Sequence, residues 1–131
     1  MSGGTNLEAL LRGMTPVLLP EVYVFATVDT VPDGLAPRMT FQEEEGTTLI
    51  VTRAQAEAHG VAFEFPARMI TLNVHSALDA VGFIALIATK LAAQDMGVNP
   101  VAGFYHDHLF IPEDRAEDAM AVLHKIAAGE A

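Results

Sequence analysis

The spacing of apolar residues along the chain predicts its strands. Residues 22–28 are β-favouring and divide between two faces, with Val22, Val24, Ala26 and Val28 on one face and Tyr23, Phe25 and Thr27 on the other. At residues 68–75 apolar side chains alternate with polar ones, the two-residue period of a strand. A short strand at 61–65 is expected to end at Pro66. Two hairpins are also predicted. The first joins strands at 39–43 and 47–51 through an acidic turn at 44–46, and the second joins strands at 101–105 and 109–111 through His106-Asp107-His108.

Capping residues and glycines predict the helices. Thr5 and Glu8 have the spacing of a capping box, with Thr5 as the N-cap of a short helix that stops at Gly13. Ser76 is expected to cap a long helix that ends near Gly97. An amphipathic stripe predicts a last helix up to residue 128.

The long helix is apolar on almost every side. Between residues 80 and 93 only Gly82, Thr89 and Lys90 are not hydrophobic. A helix of this kind is covered on more than one face. Because the sheet covers only one face, we expect another module or another subunit to cover a second, and therefore a homodimer or a higher homo-oligomer.

The order of predicted elements repeats. Residues 39–58 read strand, acidic turn, strand and helix, and residues 101–123 read the same. We therefore expect two modules, a degenerate one at 1–66 and a second at 67–131. Strand, helix, strand, strand and helix form most of a ferredoxin-like sandwich, with helices on one face of an antiparallel sheet. The predicted class is α+β.

Both modules depart from a complete ferredoxin-like pattern. The second module lacks a last strand, and an unfilled sheet edge is a liability; Val17-Leu18-Leu19 is one candidate donor, with a second chain as the alternative. In the first module too few residues join the first strand to its hairpin for a crossover helix. We expect the N-terminal helix to take that place.

Charge and composition exclude several classes of function. The 131 residues carry 17 acidic and 7 basic side chains, a formal charge of −10. Such a field repels phosphate backbones and anionic lipids, so neither nucleic acid nor a membrane is an expected partner. The chain has no cysteine, which removes thiolate chemistry and fits a reducing compartment. With no signal-peptide pattern and no long apolar run, a cytoplasmic location is expected.

Two segments resemble the ACT family of regulatory domains. They are His75-Ser76-Ala77-Leu78-Asp79-Ala80-Val81-Gly82 and Val101-Ala102-Gly103-Phe104-Tyr105-His106-Asp107-His108-Leu109-Phe110-Ile111-Pro112, with a weaker match at residues 43–49. The chain is similar in particular to tandem ACT-type proteins related to the CASTOR arginine sensors, including small bacterial members. The resemblance implies a small-molecule ligand, an amino acid, bound by a regulatory module.

The resemblance also implies where the ligand sits. In the family the site lies where the first strand turns into the first helix. On this chain it would comprise His75, Ser76, Asp79, Val81, Gly82 and Phe83, facing Asn99, Val101, Ala102, Gly103 and Phe104. No cofactor, metal ligand or catalytic residue is expected. The identity of the ligand does not carry over.

Each polar or small residue of that site has two explanations. Ser76 either caps the helix or also faces the ligand. Asp79 either complements the helix dipole or holds the α-ammonium of an amino acid. Gly82 permits either close approach of a ligand or tight packing of the helix on the sheet. Gly103 either lets a ligand come close to the strand or forms a bulge.

The His106-Asp107-His108 segment has two explanations as well. In a strand the two histidines share a face and can hold a metal, but no third ligand is nearby in the sequence. In a tight turn Asp107 binds its own backbone and the histidines flank it. A ligandless interaction module and an enzyme using these histidines are the alternatives to a sensor. No nucleophile elbow or phosphate loop supports an enzyme.

Overall fold

The computed structural model describes residues 6–130 and contains six strands and four helices. The strands are β1 (Val17–Val28), β2 (Met39–Gln42), β3 (Thr47–Thr52), β4 (Glu64–Thr71), β5 (Asn99–Ala102) and β6 (Asp107–Pro112). The helices are α1 (Leu7–Gly13), α2 (Arg53–Ala58), α3 (Phe83–Ala92) and α4 (Ala116–Ala127). The described residues form two compact units: a larger unit up to Leu19 and from Arg68 onward, and an inserted unit, Pro20–Ala67.

The strands lie in the order β2-β3-β1-β4-β6-β5. β3 pairs antiparallel with both β1 and β2, and β5 pairs antiparallel with β6. In each hairpin the second strand lies beside the strand that comes before the hairpin in the chain. β3 therefore lies beside β1, and β6 lies beside β4. The fold is α+β with two ferredoxin-like modules, which confirms the predicted class.

The core of the larger unit lies between its strands and three helices. Alternate residues of β4 and β6 point into it because successive side chains of a strand face opposite sides. Its fully buried members include Ile70, Leu109, Ile111, Ile87, Leu91 and Leu123. Both α1 and α4 contact α3 in this unit. The further contacts expected for the apolar faces of α3 thus come from α1 and α4 of the same chain. The apolar character of α3 therefore gives no reason to expect an oligomer.

The inserted unit has a smaller core of its own. It contains Val24, Ala26, Leu35, Leu49, Val51 and Ala56. The Thr52 hydroxyl caps α2 by accepting a hydrogen bond from Gln55 N at 3.3 Å. The expectation that the N-terminal helix belongs to this module is wrong, since Leu10, Leu11 and Met14 are buried in the core of the larger unit.

The candidate donor for the missing strand is Val17-Leu18-Leu19. These residues begin β1, they belong to the larger unit, and β1 is the neighbour of β4 in the sheet. The Arg68 guanidinium donates from Nε and Nη2 to the Leu19 carbonyl oxygen at 3.0 and 2.7 Å. The edge left open by the second module is therefore filled by the chain's own β1.

Three local predictions need correction or fall outside the described residues. The separate strand predicted at 61–65 does not form, since β4 begins at Glu64 and continues through the exposed Pro66; Phe65 has a φ of 57°. The strand predicted to run to residue 75 ends at Thr71. Thr5 lies outside the described residues, and the N-cap of α1 is Asn6, whose Oδ1 accepts from Ala9 N at 2.9 Å.

Candidate functional site

The segment between β4 and α3 is irregular rather than helical. Ser76 was predicted to cap the long helix, but α3 begins only at Phe83. A turn precedes it, closed by the Ala80 N–H donating to the Ala77 carbonyl at 3.0 Å. The N-cap is Gly82, whose φ of 93° lies in the left-handed region that glycine adopts without steric cost. The glycine is therefore explained by its backbone conformation, not by a position inside a helix.

The hairpin opposite this segment turns earlier than predicted. Ala102 pairs with Asp107, so the turn consists of residues 103–106 and Asp107 begins β6. The Gly103 N–H donates to the His106 carbonyl oxygen at 2.9 Å. A Cβ at Gly103 would lie only 2.9 Å from that same oxygen, which explains why this position is a glycine.

A cavity of about 360 Å³ lies where this segment meets the hairpin. Ser76, Leu78 and Gly82 line it from the segment, and Pro100, Gly103 and Asp107 line it from the hairpin. The first turn of α3 also contributes to the wall, through Phe83, Ile84 and Ala85. All of these residues belong to the larger unit.

Two polar groups meet in the cavity. The Ser76 hydroxyl, in a side chain only 8% exposed, donates to Asp107 Oδ2 at 3.1 Å. The N-terminus of α3 supplies backbone N–H groups, which have no partner within the helix and receive no side-chain cap from Gly82. A carboxylate and the first residues of a helix without a side-chain cap thus line one space. A carboxylate and helix N-terminal N–H groups are the pair that complements a zwitterion.

The predicted site residues divide into two groups. Those that line the cavity are Ser76, Gly82, Phe83, Ala102 and Gly103. Those that do not are His75, Asp79, Val81, Asn99, Val101 and Phe104. Val81 is 84% exposed and Phe104 is 59% exposed. The ring of His75 stacks beside Tyr105, with centroids 5.4 Å apart.

The sequence prediction did not include Asp107, the charged residue of the cavity. It also did not include six apolar lining residues: Ala77, Leu78, Ala80, Ile84, Ala85 and Pro100. The prediction assigned Asp107 to the tip of a turn, whereas it is the first residue of β6. A signal was present, because Asp107 has the same strand parity as Leu109 and Ile111, both buried in the core beneath the helices. Alternation continued two residues further back would have pointed its carboxylate to the helix side.

The two histidines beside Asp107 have separate surroundings. His106 and His108 have ring centroids 6.5 Å apart. Nδ1 of His108 is 3.0 Å from the Thr71 hydroxyl of β4. Among residues 6–130 no three histidine, aspartate or glutamate side chains are grouped closely enough to hold a metal ion.

The chain is similar to known proteins in its fold and in its sequence. The fold is that of a tandem ferredoxin-like domain protein. Two family models, each described as an ACT domain, match residues 2–68 and residues 64–125. The chain therefore belongs to the ACT domain family, whose domains are regulatory. No curated protein is similar enough to the chain to match it.

Several solved structures are similar. One is a Vibrio cholerae protein described as of unknown function and a possible transport protein; it is 40% identical, with a TM-score of 0.84 over 94% of this chain and 97% of its own. Another, from Agrobacterium tumefaciens, is 16% identical, with a TM-score of 0.73 over 87% and 89%. The ligand-free regulatory subunit of aspartate kinase from Thermus thermophilus is 14% identical, with a TM-score of 0.63 over 88% and 97%. The last two show the fold alone.

The structure also bears on membrane insertion. Within the described part of the chain, no helix is both long and apolar enough to span a membrane.

Proposed function

We propose that this protein is a regulatory, non-catalytic module that binds an amino acid in the cavity of the larger unit. The observation that carries the proposal is the meeting of Asp107 with the uncapped N-terminus of α3 in a space of about 360 Å³. An α-amino acid offers one cation and one anion to these two groups. Membership of the ACT family supports a regulatory role over a catalytic one.

The geometry supports a distinct task for each polar group. The Asp107 carboxylate binds the α-ammonium, and Ser76 holds that carboxylate in place through its hydrogen bond. The N–H groups of the first turn of α3 bind the α-carboxylate, favoured also by the helix dipole. Asp79 was the sequence-based candidate for the ammonium, but it is exposed and does not line the cavity.

Regulation requires that the ligand bind one conformation more tightly than another. The cavity walls come from an irregular segment and a hairpin turn, which hold fewer backbone hydrogen bonds than a helix or a sheet interior. Closing these two walls on a ligand is the conformational change that we propose. Along the sequence we propose 1–66 and 67–131 as the limits of the two modules, although α1 and the first residues of β1 pack with the larger unit. A cytoplasmic location stays a prediction of the sequence.

Binding of an amino acid is testable by thermal shift on the full chain. Each of the twenty L-amino acids is added singly, and at least one is expected to raise the melting temperature. At 100 times its dissociation constant a ligand adds about 2.7 kcal/mol to the free energy of unfolding. No shift with any of the twenty would contradict the proposal.

A charge-matched pair of variants tests the site. Asp107→Asn keeps an oxygen that accepts from Ser76 but removes the negative charge, and is expected to weaken binding about 10- to 100-fold. Asp79→Asn removes the same charge from an exposed position outside the cavity and is expected to leave the dissociation constant unchanged. Equal effects of the two substitutions would contradict the assignment.

Assembly is the second candidate function, and exposed apolar residues favour it. Four large apolar side chains of the larger unit are more than half exposed: Leu78 (66%), Val81 (84%), Phe104 (59%) and Tyr105 (59%). The rings of Phe104 and Tyr105 lie beside each other, with centroids 5.0 Å apart. Neighbouring exposed apolar side chains are typical of interaction surfaces. We propose a homodimer or a higher homo-oligomer that covers them.

The oligomer prediction has a direct measurement. Light scattering after size-exclusion chromatography is expected to give a mass at least twice the 14.0 kDa of one chain. A single-chain mass at every concentration tested would contradict the assembly proposal and leave amino-acid binding as the sole proposed function.

A further inference from the structure

The chemistry of the cavity walls constrains the side chain of the ligand. Leu78, Phe83, Ile84 and Pro100 are large and apolar, and alanines at 77, 80, 85 and 102 fill the wall between them. Apart from backbone groups, the polarity comes from Ser76 and Asp107. Beyond the two groups assigned to the zwitterion, the cavity therefore offers an apolar surface.

Charge excludes acidic ligands. Among the described residues, none that lines the cavity is lysine, arginine or histidine. A side-chain carboxylate or a phosphate would enter beside Asp107 with no cation to offset it, in a chain whose formal charge is −10. Burial of such a group without a partner is strongly unfavourable.

Charge also excludes basic ligands. Asp107 is the one carboxylate that lines the cavity among the described residues. If it binds the α-ammonium, no second acid remains for a lysine or arginine side chain. Asp79, the nearest acid along the chain to Ser76, is exposed and lies outside the lining.

The cavity is large enough for a whole amino acid. A volume of about 360 Å³ is near the lower end of the ~300–1,000 Å³ range of small-molecule sites. This space holds the ammonium and the carboxylate of an amino acid together with an aliphatic side chain. Branched aliphatic side chains present the apolar surface that matches these walls.

We propose that the cavity selects an uncharged α-amino acid with a short branched aliphatic side chain: valine, leucine or isoleucine. The inference rests on the proposed function and adds the class of ligand. Leu78 is the wall residue whose replacement tests the preference for an aliphatic ligand. It lines the cavity but is not part of the buried core, so its replacement leaves the core packing intact.

The test measures calorimetric binding of L-valine, L-leucine, L-isoleucine, L-glutamate and L-arginine to the full chain. The aliphatic amino acids are expected to bind at least about tenfold more tightly than the charged ones, since pocket contacts discriminate by roughly this factor. If another amino acid binds while the aliphatic ones do not, the ligand class is overturned but the proposed function stands. If none of the twenty binds, the proposed function itself fails.

A matched pair of lysine variants tests the contact. Leu78→Lys places a cation at the cavity and is expected to weaken leucine binding and to strengthen glutamate binding, each by about tenfold. Val17→Lys makes the same change of charge at another exposed apolar position of the larger unit, one that neither lines the cavity nor belongs to the group proposed for assembly. It is expected to leave the preference for leucine over glutamate unchanged. Equal effects of the two variants would overturn the inference.

Discussion

Leu91→Ala is expected to lower the free energy of unfolding by about 2–5 kcal/mol. Leu91 is fully buried on α3 in the core of the larger unit, where α1 and α4 also pack. Its replacement removes apolar contacts and leaves a cavity that the surrounding helices and strands can only partly fill. Urea denaturation followed by circular dichroism measures the loss.

Lys90→Ala is the matched control for this core substitution. Lys90 is the preceding residue on the same helix, and it is exposed. Since lysine and alanine both favour a helix, its replacement is expected to change stability by less than about 0.5 kcal/mol. If both variants lost the same stability, α3 would not be packed as described.

Gly103→Ala is expected to cost about 1–3 kcal/mol, because a close backbone contact leaves no room for a Cβ. The added carbon would lie 2.9 Å from the His106 carbonyl oxygen and 3.3 Å from Nε2 of His108. The oxygen belongs to the hydrogen bond that closes the turn, so the turn must open to admit the methyl group. Thermal unfolding measures the cost.

Gly97→Ala is the control for the turn substitution. A Cβ at Gly97 would meet no atom within 4 Å, and its φ is outside the left-handed region. The substitution is expected to be neutral or to stabilise by about 0.4–1 kcal/mol, because alanine restricts the unfolded chain. A Gly103→Ala protein as stable as the Gly97→Ala protein would contradict the geometry of the turn.

Local patterns predicted the strands and hairpins well. Residues 22–28 lie in β1, and both predicted hairpins form in the predicted order. The turn of the second hairpin consists of residues 103–106 and not of His106-Asp107-His108. Boundaries were less accurate where a proline or a lone cap residue was the signal. Pro66 lies within β4, and Ser76 is bonded to Asp107 instead of capping a helix.

The candidate site was predicted only in part. The resemblance pointed to the stretch of chain that borders the cavity, and Ser76, Gly82 and Gly103 line it. Asp107 was missed because its role depends on the register of the hairpin, which shifts the turn toward Gly103. A turn residue does not follow the alternation of a strand, so the direction of the carboxylate follows only once Asp107 is known to begin β6.

The sequence by itself determined the α+β class, the two hairpins and the order of the helices, because helix and strand periods are properties of neighbouring residues. Only the tertiary structure decided that α1 packs with α3 and α4, that β1 lies beside β4, and that Asp107 meets Ser76. Those contacts join residues far apart in the chain, for example 31 positions apart in the last case. Their geometry depends on burial of the whole core, and no local pattern of side chains encodes it.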